Sequence, residues 1–201
     1  MMTQNRTTLL LALSVPVAVV VSAINPPSGS VWFLEIFWCL GYWGFLAAVF
    51  PRFRFSNTAY AIAASWCILQ SIGAHYTFEA VPLTQGRFGF ERNHFDRIAH
   101  FVVGLNALLI SEFLFRKKIT NGIFAAAAGG FFVIVAVAGL WELVEWLYAA
   151  YDGGEAGAAF LGSQGDIWDA QKDILCDTLG GLVAGTFFFF KTRGEIARTN
   201  V

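Results

Sequence analysis

The sequence predicts an all-α polytopic membrane bundle of about six transmembrane helices, with both termini in the cytoplasm. Three observations carry this. Of the 201 residues, 57% belong to the apolar set and only 13% are charged, against about a quarter charged in soluble domains. Six apolar runs approach the roughly 20 residues that a helix needs to cross a bilayer core of about 30 Å. Lys and Arg fall unevenly in alternate connecting segments. The composition excludes a disordered chain and a nucleic-acid binder carried by a basic tail, and the net charge of -1 gives no pull toward polyanions. The partner to expect is the lipid bilayer.

The runs cover residues 8–24, 31–50, 58–74, 98–115, 122–151 and 174–190. Helices are the spanning form, because hydrocarbon offers no partner for free backbone groups. Several runs are short, so polar residues at their outer ends should continue the helices. The stretch 152–157, Asp-Gly-Gly-Glu-Ala-Gly, reads as a turn. The first run follows Arg6 and ends at Val21-Ser22-Ala23, so it also has the form of a cleavable signal peptide. Its removal would leave the other five helices as they are. The whole chain, 1–201, reads as a single membrane domain, with two N-terminal helices in 1–57 packed outside the polar core.

Direction follows from the basic residues. One set of alternate segments holds Arg6, Arg52, Arg54, Arg116, Lys117, Lys118, Lys191, Arg193 and Arg198, nine of the 13. The other set holds Arg87, Arg92, Arg97 and Lys172. The richer side is cytoplasmic. The three cysteines lie inside apolar runs without metal-site spacing and read as small apolar residues.

The polar residues gather on the opposite side. It receives all three histidines and 11 of the 14 acids. Asp96 and His100 are four apart, neighbours on one helix surface. Glu142 and Glu145 are three apart, and Asp169, Asp173 and Asp177 repeat every four residues, about 6 Å per step. His75 and Glu79 share a face if the third helix reaches that far. A carboxylate inside a bilayer costs several kcal/mol unless paired or hydrated, so these side chains should face a shared acidic, His-containing cavity open to the outer side. Glu35 either joins it or snorkels. Glu112 should pair with Arg116 or Lys117 at the inner end.

So many acids in one place repel one another unless a cation sits among them. One option is a divalent metal held by Asp96, His100, Glu142, Glu145, Asp173 and Asp177; carboxylate with imidazole suits Zn, Mn or Fe. A second is a salt-bridge network in which Arg97 meets Asp96 or Asp173. A third is an ion pathway.

Three stretches resemble the YjdF-like family of bacterial inner-membrane proteins: Asn93-His94-Phe95-Asp96-Arg97 leading into His100-Phe101, then Trp141-Glu142-Leu143-Val144-Glu145-Trp146, then residues 161–173, Leu-Gly-Ser-Gln-Gly-Asp-Ile-Trp-Asp-Ala-Gln-Lys-Asp. His75-Tyr76-Thr77-Phe78 with Val81-Pro82-Leu83 is also similar to that family. The resemblance covers about residues 58–190. It implies a multi-pass inner-membrane protein and no reaction. A weaker similarity runs to VanZ-like membrane proteins, through Asp96-Arg97 with His100, through Glu142 or Glu145, and through Asp173, Asp177 and Gly180; Asp177 stands where that pattern has Asn. It implies that the same three helix faces meet.

Two functions are open. One is an enzyme at the outer face, performing metal-assisted hydrolysis of an envelope or lipid-linked substrate. Asp169 or His94 would be its general base, and Arg97 or Arg92 would contact an anionic headgroup. The other is a small transporter, ion site or assembly factor using the same cavity.

Overall fold

The computed structural model describes residues 2–83, 92–152 and 154–199. Among these residues the chain is all helix and connection: α1 (Met2–Ser22), α2 (Gly29–Val49), α3 (Asn57–Tyr76), α4 (Phe95–Leu105), α5 (Ala107–Arg116), α6 (Ile123–Asp152), α7 (Gly154–Leu161) and α8 (Asp169–Thr199). Serine caps open two of them. Ser28 Oγ accepts from Val31 N at 3.4 Å, and Ser56 Oγ accepts from Ala59 N at 3.2 Å, which occupies backbone donors that the first turn leaves free. The helix α3 stops where Thr77 turns left-handed (φ 56°). His75 is therefore helical and Glu79 is not, and the two do not share a helix face.

Among the described residues, four units are long and apolar enough to cross a membrane: α2, α4 with α5, α6 and α8. The helix α1 is shorter in apolar length, and α3 carries Gln70 and Ser71 within its buried face. Large apolar side chains point outward along these helices, among them Leu10, Phe33, Phe124, Phe132, Leu140 and Phe190. Such a surface suits hydrocarbon and not water. As expected, the ends of α4 and α8 extend outward beyond their apolar runs through Asp96 and Asp169.

Three features depart from the sequence reading. The fourth run is one crossing broken at Asn106. The Asn106 amide donates to the carbonyls of Val102 and Val103 at 3.1 and 3.0 Å, and its Oδ1 accepts from Tyr42 Oη at 2.7 Å. These bonds take up groups that a break would otherwise leave bare in hydrocarbon. Second, part of the stretch read as a turn is helical: α7 starts at Gly154 and carries Phe160 into the interior. The neighbouring apolar surface stabilises a turn of helix that glycine disfavours locally. Third, α2 does not stay outside the polar core, since Glu35 on it is 3% exposed.

The inner half is a packed apolar core of Phe53, Phe55, Leu108, Leu109, Ile134 and Phe188. The helix α1 lies along α3, with Val15 packed among Cys39, Ala64 and Cys67. At the inner end Thr8 Oγ1 donates to Asn57 Oδ1 at 3.1 Å. Glu112 Oε2 accepts from Ser56 N at 2.9 Å and lies 4.0 Å from Arg116 Nη1, so the expected Glu112–Arg116 partnership is shared with the cap of α3.

The outer half is set by one close approach. A Cβ on Gly104 would stand 2.9 Å from Gly180 Cα, and a Cβ on Gly180 would stand 3.0 Å from Gly104 Cα. The bare glycines let α4 and α8 touch backbone to backbone. One turn nearer the outer surface, that contact brings His100 against Asp177.

Candidate functional site

Two ionic clusters occupy the outer end, one above the other. The upper one joins the loops to the start of α8. Arg97 Nη1 donates to Asp173 Oδ1 at 2.9 Å and to the Asp169 carbonyl at 3.0 Å. Its Nη2 donates to Asp169 Oδ1 at 2.5 Å and to Asp166 Oδ2 at 3.3 Å. Arg92 donates to Asp169 and to the Ser163 carbonyl. Lys172 Nζ reaches Asp166 Oδ2 at 2.6 Å, and this bond above all holds the Asp166 carboxyl below its usual range.

Two amides lock the loops beneath this cluster. Gln164 Oε1 accepts from Asn93 N at 3.0 Å while Gln164 Nε2 donates to the Asn93 carbonyl at 3.1 Å. Asn93 Nδ2 in turn donates to the carbonyls of Glu79 and Val81 at 2.9 and 2.6 Å.

The lower cluster lies between the helices. His100 Nδ1 is 2.8 Å from Asp177 Oδ2, and His100 Nε2 is 3.6 Å from Asp96 Oδ1. A carboxylate on Nδ1 selects the tautomer whose Nε2 lone pair is free to act as a ligand. Asp96, His100 and Asp173 each offer one ligand atom, all within 4.8 Å of one another. Two carboxylates with an imidazole are a donor set that would suit a shared Zn, Mn or Fe ion. Two more carboxylate oxygens, Glu142 Oε1 and Asp177 Oδ1, are buried without a hydrogen-bond partner among the described residues. Leaving such oxygens unmatched is costly, and a cation would match them.

Beside this cluster is a cavity of about 380 Å³. Asp96, His100, Glu145 and Asp177 line it together with Glu35, whose Oε2 accepts from Gln70 Nε2 at 2.7 Å. Its other wall is apolar, with Trp38, Val137, Trp141 and Phe160 among its side chains.

The sequence-derived residues therefore divide. Asp96, His100 and Asp173 come together, Glu145 lines the neighbouring cavity, and Glu142 lies on the same helix, α6, outside that lining. Asp177 spends one oxygen on orienting His100. Asp169 and Arg97 belong to the ion-pair cluster, and Arg97 meets Asp173, one of its two expected partners. His94 is the residue before α4 and is not part of the cavity wall. Arg87 and Glu91 lie outside the described residues. Gln70, Asn93, Asn106 and Gln164 carry structural weight that the reading of charges missed. Gln70 and Asn106 did leave a signal, an amide inside an apolar run.

The fold and site together define a polytopic helical membrane protein with a buried histidine–carboxylate centre near one membrane face. Residues 7–194 match the family described as "Predicted membrane protein (DUF2238)", and the chain belongs to that family. It is 31% identical over 180 residues to inner membrane protein YjdF of Escherichia coli (strain K12), covering 88% of this chain and 86% of that protein. These matches carry the YjdF-like resemblance and not the VanZ-like one. No solved structure matches the chain.

Proposed function

We propose that the chain is a metal-assisted hydrolase of the inner membrane, acting from the outer side on an envelope or lipid-linked substrate. The observation that carries this reading is the His100–Asp177 pair, which leaves Nε2 facing Asp96 in a cluster that Asp173 completes. Asp96, His100 and Asp173 would hold a Zn, Mn or Fe ion. Such an ion would supply a polarised water as the nucleophile toward an ester carbon or phosphorus. Glu142 would take that water's proton as general base and return it to the departing alkoxide as general acid. We assign the base to Glu142, whose Oε1 is buried with no hydrogen-bond partner among the described residues, because Asp169 already accepts from two guanidiniums. In this reading Arg97 holds Asp173 in place.

The cavity shape supports an enzyme over a conduit. Its lower wall includes Tyr42, which is bonded to Asn106, and beneath that pair lies the packed inner core. One observation favours the structural reading for the upper cluster alone: Arg97 ties three aspartates across the loop and α8.

Elemental analysis of protein purified in detergent tests the proposal. About one equivalent of Zn, Mn or Fe is expected in the wild type, and none in His100→Ala. Wild-type protein without a transition metal after supplementation with these three ions overturns it, as does a His100→Ala variant with unchanged metal content.

A further inference from the structure

The cavity does not stay inside the bundle. Its wall runs from Asp177, 1% exposed, out to Trp38 and Val137, which are 46% and 45% exposed on the lipid face. These outer positions belong to two helices that barely meet. The helix α2 packs on α3 and α7, and α6 packs on α5, α7 and α8. Between α2 and α6 stands the Trp38–Trp141 pair, its rings edge-on with centroids 5.9 Å apart. Behind it, Gly41 lines the cavity, and a Cβ there would meet nothing within 4 Å.

The window has a polarity along the membrane normal. Glu35 and Glu145 mark its outer level. Gly41 is six residues deeper on α2, about 9 Å, and Val137 is eight residues deeper on α6, about 12 Å. One leaflet's hydrocarbon is about 15 Å thick. The ionisable groups thus sit at the height of outer-leaflet headgroups and the apolar wall at the height of the chains. The volume of about 380 Å³ falls in the ordinary ligand-pocket range of roughly 300–1,000 Å³.

We propose that the α2–α6 window is a lateral entrance for an outer-leaflet amphiphile, whose hydrocarbon chain lies along Gly41 and Val137 while its oxygen-bearing head reaches the Asp96–His100 centre. This rests on the proposed hydrolase for what happens to the head. Chain binding stands on the window alone. A glycerophospholipid and a polyprenyl phosphate share the required chemistry.

Photolabelling in proteoliposomes tests it, with two arms. One uses phosphatidylglycerol bearing a diazirine in the acyl chain, the other a diazirine-bearing polyprenyl phosphate. In the wild type, at least one probe should label the peptides containing Trp38 or Trp141, and the arm that labels identifies the source. Gly41→Phe, at a position where a Cβ meets nothing within 4 Å, should fill the window and lower that labelling about tenfold, while labelling at the lipid-facing Phe124 stays constant. Val137→Phe narrows the same window from α6 and serves if Gly41→Phe does not fold. Equal labelling of wild type and both variants means ordinary annular contact and overturns the proposal, as does absence of label at both tryptophans. Metal content is measured on the same wild-type samples, and protein that labels in the window but holds no metal loses the hydrolase reading while the entrance stands.

Discussion

The side-chain amide of Gln164 holds the main chain of Asn93 at both ends, donating to its carbonyl and accepting from its N–H. Two long outer connections, distant in sequence, are joined in this way like adjacent strands. Gln164 itself sits at φ 49°, a left-handed turn that aims the amide back at its partner.

Gln164→Ala should therefore separate the loops without emptying the helix core. The loss of two hydrogen bonds is worth about 1–3 kcal/mol. Thermal melting in detergent should fall accordingly, and proteolysis between α7 and α8 should speed up. An unchanged melting temperature would show that the pair contributes nothing.

Asp177→Asn keeps the shape of the side chain and removes the charge on His100 Nδ1. Loss of an orienting carboxylate costs about 10- to 100-fold in metal affinity. Zinc titration of the variant should show that drop with near wild-type melting. Full affinity would remove Asp177 from the site.

Much of the fold is legible in the chain because hydrocarbon punishes exposed backbone, so each crossing announces itself as an apolar run. Helical spacing likewise groups Asp96 with His100 and Asp173 with Asp177. Spacing names a face and not its partner. Glu35 finds Gln70, 35 residues away, and Asp169 meets two arginines across more than 70. Neither pairing can be read from one helix. The break at Asn106 and the helix α7 were hidden for a related reason, since tertiary bonds to Tyr42 and burial of Phe160 decide them against local preference.

Gly180→Leu should damage the outer half. The added Cβ would meet the Gly104 Cα at 3.0 Å, and main chain cannot step aside. Overpacking of this kind costs about 1–3 kcal/mol or more. Gly41→Leu, where the Cβ meets nothing, should melt like the wild type. Equal melting of the two variants would remove the α4–α8 contact as the determinant.

Acid should release the upper cluster in a definite window. Asp166 is held below its ordinary value of 3.8 chiefly by Lys172. Its contribution is complete above that ordinary value and is lost as pH falls through the lowered one. Fluorescence of the exposed Trp168, whose main-chain N–H donates to Asp166 Oδ1 at 3.0 Å, should hold steady from neutrality to about pH 4 and change below it. Lys172→Met should move that change toward higher pH. A transition centred near pH 6 would assign the event to another group.

Because two main chains touch at Gly104 and Gly180, the ruler that spaces the ionisable centre is made of peptide units, which cannot adopt a different rotamer. Lipid-facing positions on both helices can drift in size and shape without altering that distance. A relative could exchange most of its outer surface and still inherit the same centre, provided those two residues stay bare.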